Sequence, residues 1–200
     1  DRHIAFFRAL AEEAEPSLQG AQQGEWLVRL EADHDNLRAA LQACLEPPAR
    51  IEDGLRIASA LWRFWHVRGY LSEGRDRLGR LLTAATDADV SADILGQARV
   101  AAGILARYQN DHEAARALLL PSLAPARARN ASNSLALALF HLGHLDLVQN
   151  NWVGARALLA ESLSISRRSG DRAGIAAAVT SLGIVESEAG KFRAAETLFA

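Results

Sequence analysis

The sequence predicts an all-α protein: a right-handed superhelix of antiparallel helix pairs, with a short helical adaptor in front. Three observations predict it. Apolar residues recur at three- and four-residue steps along most of the chain, the spacing of a helix with one buried face. There is little β-branched clustering and no strict apolar–polar alternation, so no sheet is expected. The chain also repeats itself: Gly103, Gly143 and Gly183 stand 40 residues apart, as do Ala115, Ala155 and Ala195.

The elements follow in order. Residues 1–46 do not repeat and form the adaptor. "IAFFRALAEEAEPSL" reads as a helix stopped near Pro16. "EWLVRLEADHDNLRAALQACL" reads as one or two helices, with Asp33 or Asp35 available as an N-cap. "EPPAR" (46–50) breaks the chain before the array. The array occupies 51–200, with repeats at about 51–90, 91–130, 131–170 and 171–200, the last truncated. Each repeat reads as two helices split by a breaker: "RGY", "QND", "QNN" and "AGK". Polar turns, "ATDADVSAD", "RNASNS" and "SGDRAG", separate successive repeats.

The small columns have a packing role. The glycines should face the alanines where paired helices cross closely, since a larger side chain there would push the helices apart. The first repeat is looser. It carries Trp62 in the glycine column and Gly74 in the alanine column, 41 residues before Ala115. Trp62 is therefore expected to pack over Gly74, a large-for-small exchange that keeps the volume.

Composition excludes several classes. The chain has 22 basic and 24 acidic residues, a formal net charge of −2, without the basic excess of a general nucleic-acid or anionic-membrane binder. No apolar run approaches the roughly 20 residues needed to span a bilayer. The single cysteine, Cys44, allows no internal disulfide, which fits a reducing, cytoplasmic setting. No signal peptide is visible. The chain has no methionine and starts at Asp1, which predicts a piece of a longer protein.

The chemistry-bearing motifs are missing. There is no GxxxxGK[ST] or GxGxxG phosphate cradle, and no GxSxG, HExxH or CxxC. "HLGHLD" puts His141 and His144 on one helix face, but no third ligand at helical spacing completes a metal site. Arg167 and Arg168 suit a helix C-terminus. No catalytic residue, cofactor or metal ligand is assigned, and the chain is expected not to be an enzyme.

The densest stretch is "ALWRFWHVRGY" (60–70). On a helix, Leu55, Leu61 and Trp65 should turn inward. Arg63, His66 and Val67 should face the inner, concave side. The same register places Gln97, Val100, Ile104, Arg107 and Tyr108 there in the second repeat. Leu137, Phe140, His144, Leu147 and Val148 follow in the third, and Thr180, Ile184, Ser187 and Glu188 in the fourth. The candidate binding residues are thus Arg63, His66, Gln97, Arg107, Tyr108, Phe140, His144 and Glu188. Rings, aliphatics and a few cations suit an extended peptide or a partner helix, not the backbone of a nucleic acid.

The columns resemble the tetratricopeptide repeat (TPR), whose pattern sets a glycine, a ring near the turn, an alanine and a bulky apolar residue in order. Gly103, His112, Ala115 and Leu119 match it. So do Gly143, Trp152, Ala155 and Leu159, and then Gly183, Phe192, Ala195 and Phe199. The period of 40 departs from the usual 34, and no repeat carries the closing proline. "FFRALAEEAEPSLQG", "EWLVRLEADHDNLRAAL" and "GLRIASALWRFWHVRGYLSEGRDRLGRLL" together resemble the carboxy-terminal region of bacterial signal-transduction-ATPase regulators, the LuxR-like and SARP-like multidomain proteins.

That resemblance implies a non-catalytic interaction or sensor array. It would bind a protein, such as the parent's own nucleotide-binding switch domain, and would touch neither nucleic acid nor membrane. The alternative is a small-molecule effector, such as a sugar stacked on Trp, Tyr and His; a further one is a free-standing scaffold. With the last repeat truncated, Leu182, Val185, Phe192, Leu198 and Phe199 are expected to leave an apolar end exposed, able to pair with a second copy as a homodimer.

Overall fold

The computed structural model describes residues 2–128 and 132–199, the side chains of Ser132 and Phe199 excepted. They form helices α1 (Arg2–Ser17), α2 (Gln23–Ala32), α3 (His34–Ala43), α4 (Ile51–Arg68), α5 (Leu71–Ala84), α6 (Ala92–Tyr108), α7 (His112–Ala128), α8 (Ser132–Val148), α9 (Trp152–Ser169), α10 (Arg172–Glu188) and α11 (Phe192–Phe199). A single 3₁₀ turn, Ala85–Asp87, follows α5. No strand occurs among the described residues. The turn "RNASNS" and Ala200 lie partly or wholly outside them. The chain divides into two compact units, Asp1–Asp111 and His112–Ala200.

All four breakers end a helix in the same way. Gly69, Asn110, Asn150 and Gly190 take left-handed backbone, with φ of 81°, 60°, 59° and 73°. The next N–H then turns back to a carbonyl five residues earlier: Tyr70 to Trp65, Asp111 to Ala106, Asn151 to Asp146 and Lys191 to Glu186, at 2.8–3.0 Å. This is a Schellman closure, which satisfies carbonyls that the helix end leaves open.

In the first unit α4 is the central element, packed against α1, α3, α5 and α6. Its periodicity explains why. Leu55, Leu61, Phe64 and Trp65 are at most 1% exposed, and Trp62 is 6% exposed. The large rings of "LWRFW" are therefore core, where each buried aromatic stabilises by a few kcal/mol, about 1.5–3. Polar contacts fasten α1, α2 and α3 to α4, α5 and the turn between them. Arg8 pairs with Asp53 at 2.5 Å, and Arg38 makes two bonds to Glu73 at 2.8 and 2.6 Å. The Tyr70 hydroxyl donates to Glu31 at 2.6 Å. Two helices, not one, follow α1. Asp33 stands at the N-cap of α3 as expected, but its carboxylate takes the Asn36 side-chain amide (3.2 Å) in place of a backbone N–H.

Trp62 does not fill the space over Gly74. A Cβ on Gly74 would lie 2.6 Å from the Trp65 ring and 2.7 Å from Leu105 Cδ1. Trp65, almost one turn further along α4, reaches the crossing instead, and Trp62 turns toward the inner wall. In the third repeat, a Cβ on Gly143 would lie 2.7 Å from Leu159 Cγ and 3.4 Å from the Ala155 carbonyl oxygen. The close approach of α8 and α9 thus needs both small columns, with Leu159 as the nearer neighbour.

In the second unit, Ala155, Leu159, Leu163, Ala178, Leu182 and Val185 make one cluster, with Phe140, Trp152 and Leu198 packed on it. The apolar end expected from the sequence is mostly closed. Leu182 and Val185 are 7% and 0% exposed, and Leu198 is half-buried, because α11 folds onto α10. Phe192, at 70%, is exposed; the Phe199 side chain lies outside the described residues.

A ladder of ion pairs joins successive repeats. In the first three repeats the residue after the alanine-column position is an arginine: Arg75, Arg116 and Arg156; Glu196 stands there in the fourth. Arg75 reaches Asp111 (2.7 Å) and Gln109 (2.9 Å). Arg116 reaches Asp146 (2.6 Å) and Gln149 (2.9 Å). Arg156 makes two bonds to Glu186. Asp146 and Glu186 are buried, so each carboxylate relies on its guanidinium. The Arg156 hydrogen bonds hold the Glu186 carboxyl below the usual range, and those of Arg38 do the same for Glu73.

Candidate functional site

Four of the eight candidate residues come together in the first unit. α4 carries Trp62 and Arg63 on one turn and His66 on the next, and the last turn of α6 carries Arg107 and Tyr108. The His66 imidazole stacks on the Tyr108 ring, with centroids 3.7 Å apart and planes 22° apart. Trp62 lies beyond it, 6.5 Å from the imidazole and inclined by 30°. Each of two rings also carries a guanidinium: Arg63 lies 4.3 Å over Trp62, and Arg107 lies 4.3 Å over Tyr108. The result is a run of three rings with an arginine at either end. Cation–π contacts of this kind contribute roughly 0.5–2 kcal/mol each, more as water is excluded.

The electrostatics follow from crowding. Burial pushes the His66 imidazole below its ordinary value, and the charges of Arg63 and Arg107 push it the same way. Burial also lowers Arg107. Among the described residues His66 Nδ1 is buried without a hydrogen-bond partner. The imidazole is neutral near pH 7, between two permanent cations.

The rest of this wall is tighter than the sequence register implied. Val100 and Ile104 are 3% and 0% exposed, so they belong to the core and not to an open groove. Val67, at 44%, is open. Gln97 lies three turns from Tyr108 and bonds to Asp93 of its own helix at 3.1 Å, away from the stack.

The second unit has a smaller counterpart. Phe140 and His144 sit one turn apart on α8, with ring centroids 4.8 Å apart. His144 Nε2 meets Ser181 Oγ of α10 at 2.9 Å. Val148 and Ile184 are exposed beside them, at 58% and 38%. Leu147 packs against the core. Glu188 is exposed at the end of α10. His141 is buried, and among the described residues no group of three or more His, Cys, Asp or Glu could hold a metal ion. Cys44 is fully buried, and burial, aided by Asp53, pushes its thiol up to about 11, so it is a packing residue and not a nucleophile. No helix among the described residues is long and apolar enough to cross a membrane.

Sequence reasoning named the stacked residues but missed their pairing, and it treated Trp62 as a crossing residue. The usable signal was the three- and four-residue spacing of Trp62, Arg63 and His66, which puts Trp62 on the same face as His66.

No family model and no curated protein matches the chain. Solved structures do. BtubC (BKLC) from P. vanneervenii is similar at a TM-score of 0.71 and 17% identity, over 98% of this chain and 87% of that one. Kinesin light chain nearly identical TPR-like repeats from Podosopora anserina are similar at 0.63 and 16%, over 100% and 94%. MamA AMB-1 is similar at 0.54 and 15%, over 100% and 96%. At these identities the likeness is one of fold: the chain has the all-α, TPR-like repeat fold.

Proposed function

We propose that the chain is a non-catalytic docking array for a protein segment, and that it serves as the sensor arm of a bacterial multidomain transcriptional regulator. In that role it restrains a nucleotide-binding switch domain until a partner or effector binds. The observation that carries the docking half is the pair of walls on the first helices of the repeats. Arg63, His66, Arg107 and Tyr108 form one, and Phe140, His144, Val148 and Ile184 form the other. They set exposed aliphatics beside rings and cations, the surface a peptide or helix needs. The regulatory half rests on the resemblance of the adaptor and first repeat to such regulators, and on fold analogy. Control would be a population shift, the segment binding only one arrangement of the parent.

A sugar-sensing array is the weaker reading. It needs open ring faces, and Trp62 is covered by Arg63, while Tyr108 carries both His66 and Arg107. A homodimer through α11 rests on Phe192 alone of the described end residues.

The test is calorimetry between the chain and the polypeptides encoded beside it. Binding weakened at least tenfold by Arg63→Glu with Val148→Asp supports docking. Binding that these changes leave intact removes the walls from the account. Flanking sequence without a nucleotide-binding domain removes the regulatory half and leaves a scaffold.

A further inference from the structure

Among the described residues nothing covers one face of α1. Arg2, Phe6, Ala9 and Glu13 stand at steps of four, three and four, the spacing of one seam of a coiled coil. All four are exposed, Phe6 at 59%. Ile4, Phe7, Leu10 and Ala14 are buried on the other side of the helix, which meets α3 and α4. The exposed ring is held in place. Phe6 rests edge-on against the buried Phe7, with centroids 5.0 Å apart and planes at 84°, so little side-chain freedom is left to lose on contact. The charges of α1 divide in two. Arg8 and Glu12 reach Asp53 and Arg56 of α4. Among the described residues Arg2 and Glu13 have no ion-pair partner. Arg2 stands at the positive end of its own helix and Glu13 toward the negative end, so neither gains from the helix that carries it.

We propose that this face is a homodimer interface, on which α1 pairs antiparallel with α1 of a second copy. The two-fold axis passes midway between Phe6 and Ala9. Arg2 then stands opposite Glu13 of the partner subunit, and Phe6 opposite Ala9 of the partner subunit; both contacts recur across the axis. The seam reads the same from either end with large exchanged for small and cation for anion, which is what an isologous contact requires. A parallel pairing would set arginine on arginine and glutamate on glutamate. The antiparallel one also brings Arg2 toward the negative end of the partner helix. A second copy is favoured over an unrelated partner because the complement of this seam is the seam itself. It spans about 17 Å, eleven residues of helix, so the contact is at the small end of protein interfaces and forms with concentration. None of the four residues belongs to either docking wall, so this inference stands apart from the docking reading.

The experiment is analytical ultracentrifugation of the whole chain at low salt. The weight-average mass should rise from 21.6 kDa toward twice that value as concentration goes from about 10 μM to about 1 mM. Phe6→Asp should weaken self-association at least about tenfold with an unchanged melting curve, because the ring is exposed. The charges carry the decisive arm. Arg2→Glu and Glu13→Arg should each stay monomeric, since each sets like charges against one another. An equal mixture of the two should dimerise as the wild type does, because both ion pairs are then restored across the axis. A wild type that stays at 21.6 kDa throughout overturns the proposal. Association that Phe6→Asp leaves intact overturns it too, and moves the contact to another face. A mixture no more associated than either variant alone overturns the antiparallel register. A monomer that binds a flanking polypeptide, and loses it on Phe6→Asp, gives the face to that partner instead. Val148→Asp should leave the dimer in place, so the docking reading fails or survives separately.

Discussion

At the residue scale, the turn asparagines are the simplest case. Asn110 and Asn150 hold left-handed backbone that their counterparts Gly69 and Gly190 adopt without a Cβ penalty. Asn150→Gly and Asn110→Gly should each stabilise the fold by about 0.5–1 kcal/mol, read from urea midpoints. Glu186 gives a pH signature. Its carboxyl is held below the unfolded value by Arg156, so the stability it contributes is present above about pH 4.5 and is lost as pH falls through the folded value. Urea midpoints of the wild type should therefore fall on acidification below that range, and Glu186→Gln should flatten the fall. The sequence made the apolar columns plain, because they repeat every 40 residues. It hid the Arg156–Glu186 pair, whose partners stand 30 residues apart in a list of charges that looks like ordinary solvated surface. Trp62 and Trp65 show a second limit. Column alignment cannot say which of two rings on adjoining helical turns reaches across a crossing, since either is long enough.

At the element scale, helix pairs are set by how closely their axes approach. Gly143→Ala puts a methyl into Leu159 and should destabilise by roughly 1–3 kcal/mol in thermal or denaturant melts. Gly79→Ala, on α5, meets no atom within 4 Å and should stabilise by about 0.5–1 kcal/mol. Together they separate packing from propensity, since both add one methyl to a helix. Helix positions were legible because every breaker stands where a left-handed residue closes the preceding helix. The apolar end at α11 was read less well. The amphipathic α11 buries Leu198 against the α9–α10 cluster, so a short helix covers more of its neighbours than its length implied.

At the scale of the whole molecule, stacked repeats are stabilised by nearest neighbours, and the number of neighbours sets local stability. α9 lies between α8 and α10, whereas among the described residues α11 packs mainly on α10. Amide hydrogens of α11 should exchange at least about tenfold faster than those of α9, measured by mass spectrometry of peptic fragments. Uniform protection across α9, α10 and α11 would contradict nearest-neighbour stability. The candidate walls were only half legible. The register gave the residues on each inner face. Whether they pair with one another or stand open depends on side-chain reach between helices, which no single helix records.

The ladder also makes the array a measured length of chain. From Arg116 to Asp146 and from Arg156 to Glu186 the reach is the same 30 residues, inside a period of 40. A tandem duplication of residues 116–155 would therefore arrive with its own cation and its own acid in register, and would extend the molecule by a whole rung. From Arg75 to Asp111 the reach is 36 residues, and Ala106 stands where the later acids do. The same operation on the first repeat would misplace a charge, so this protein can grow from one end of its ladder and not from the other.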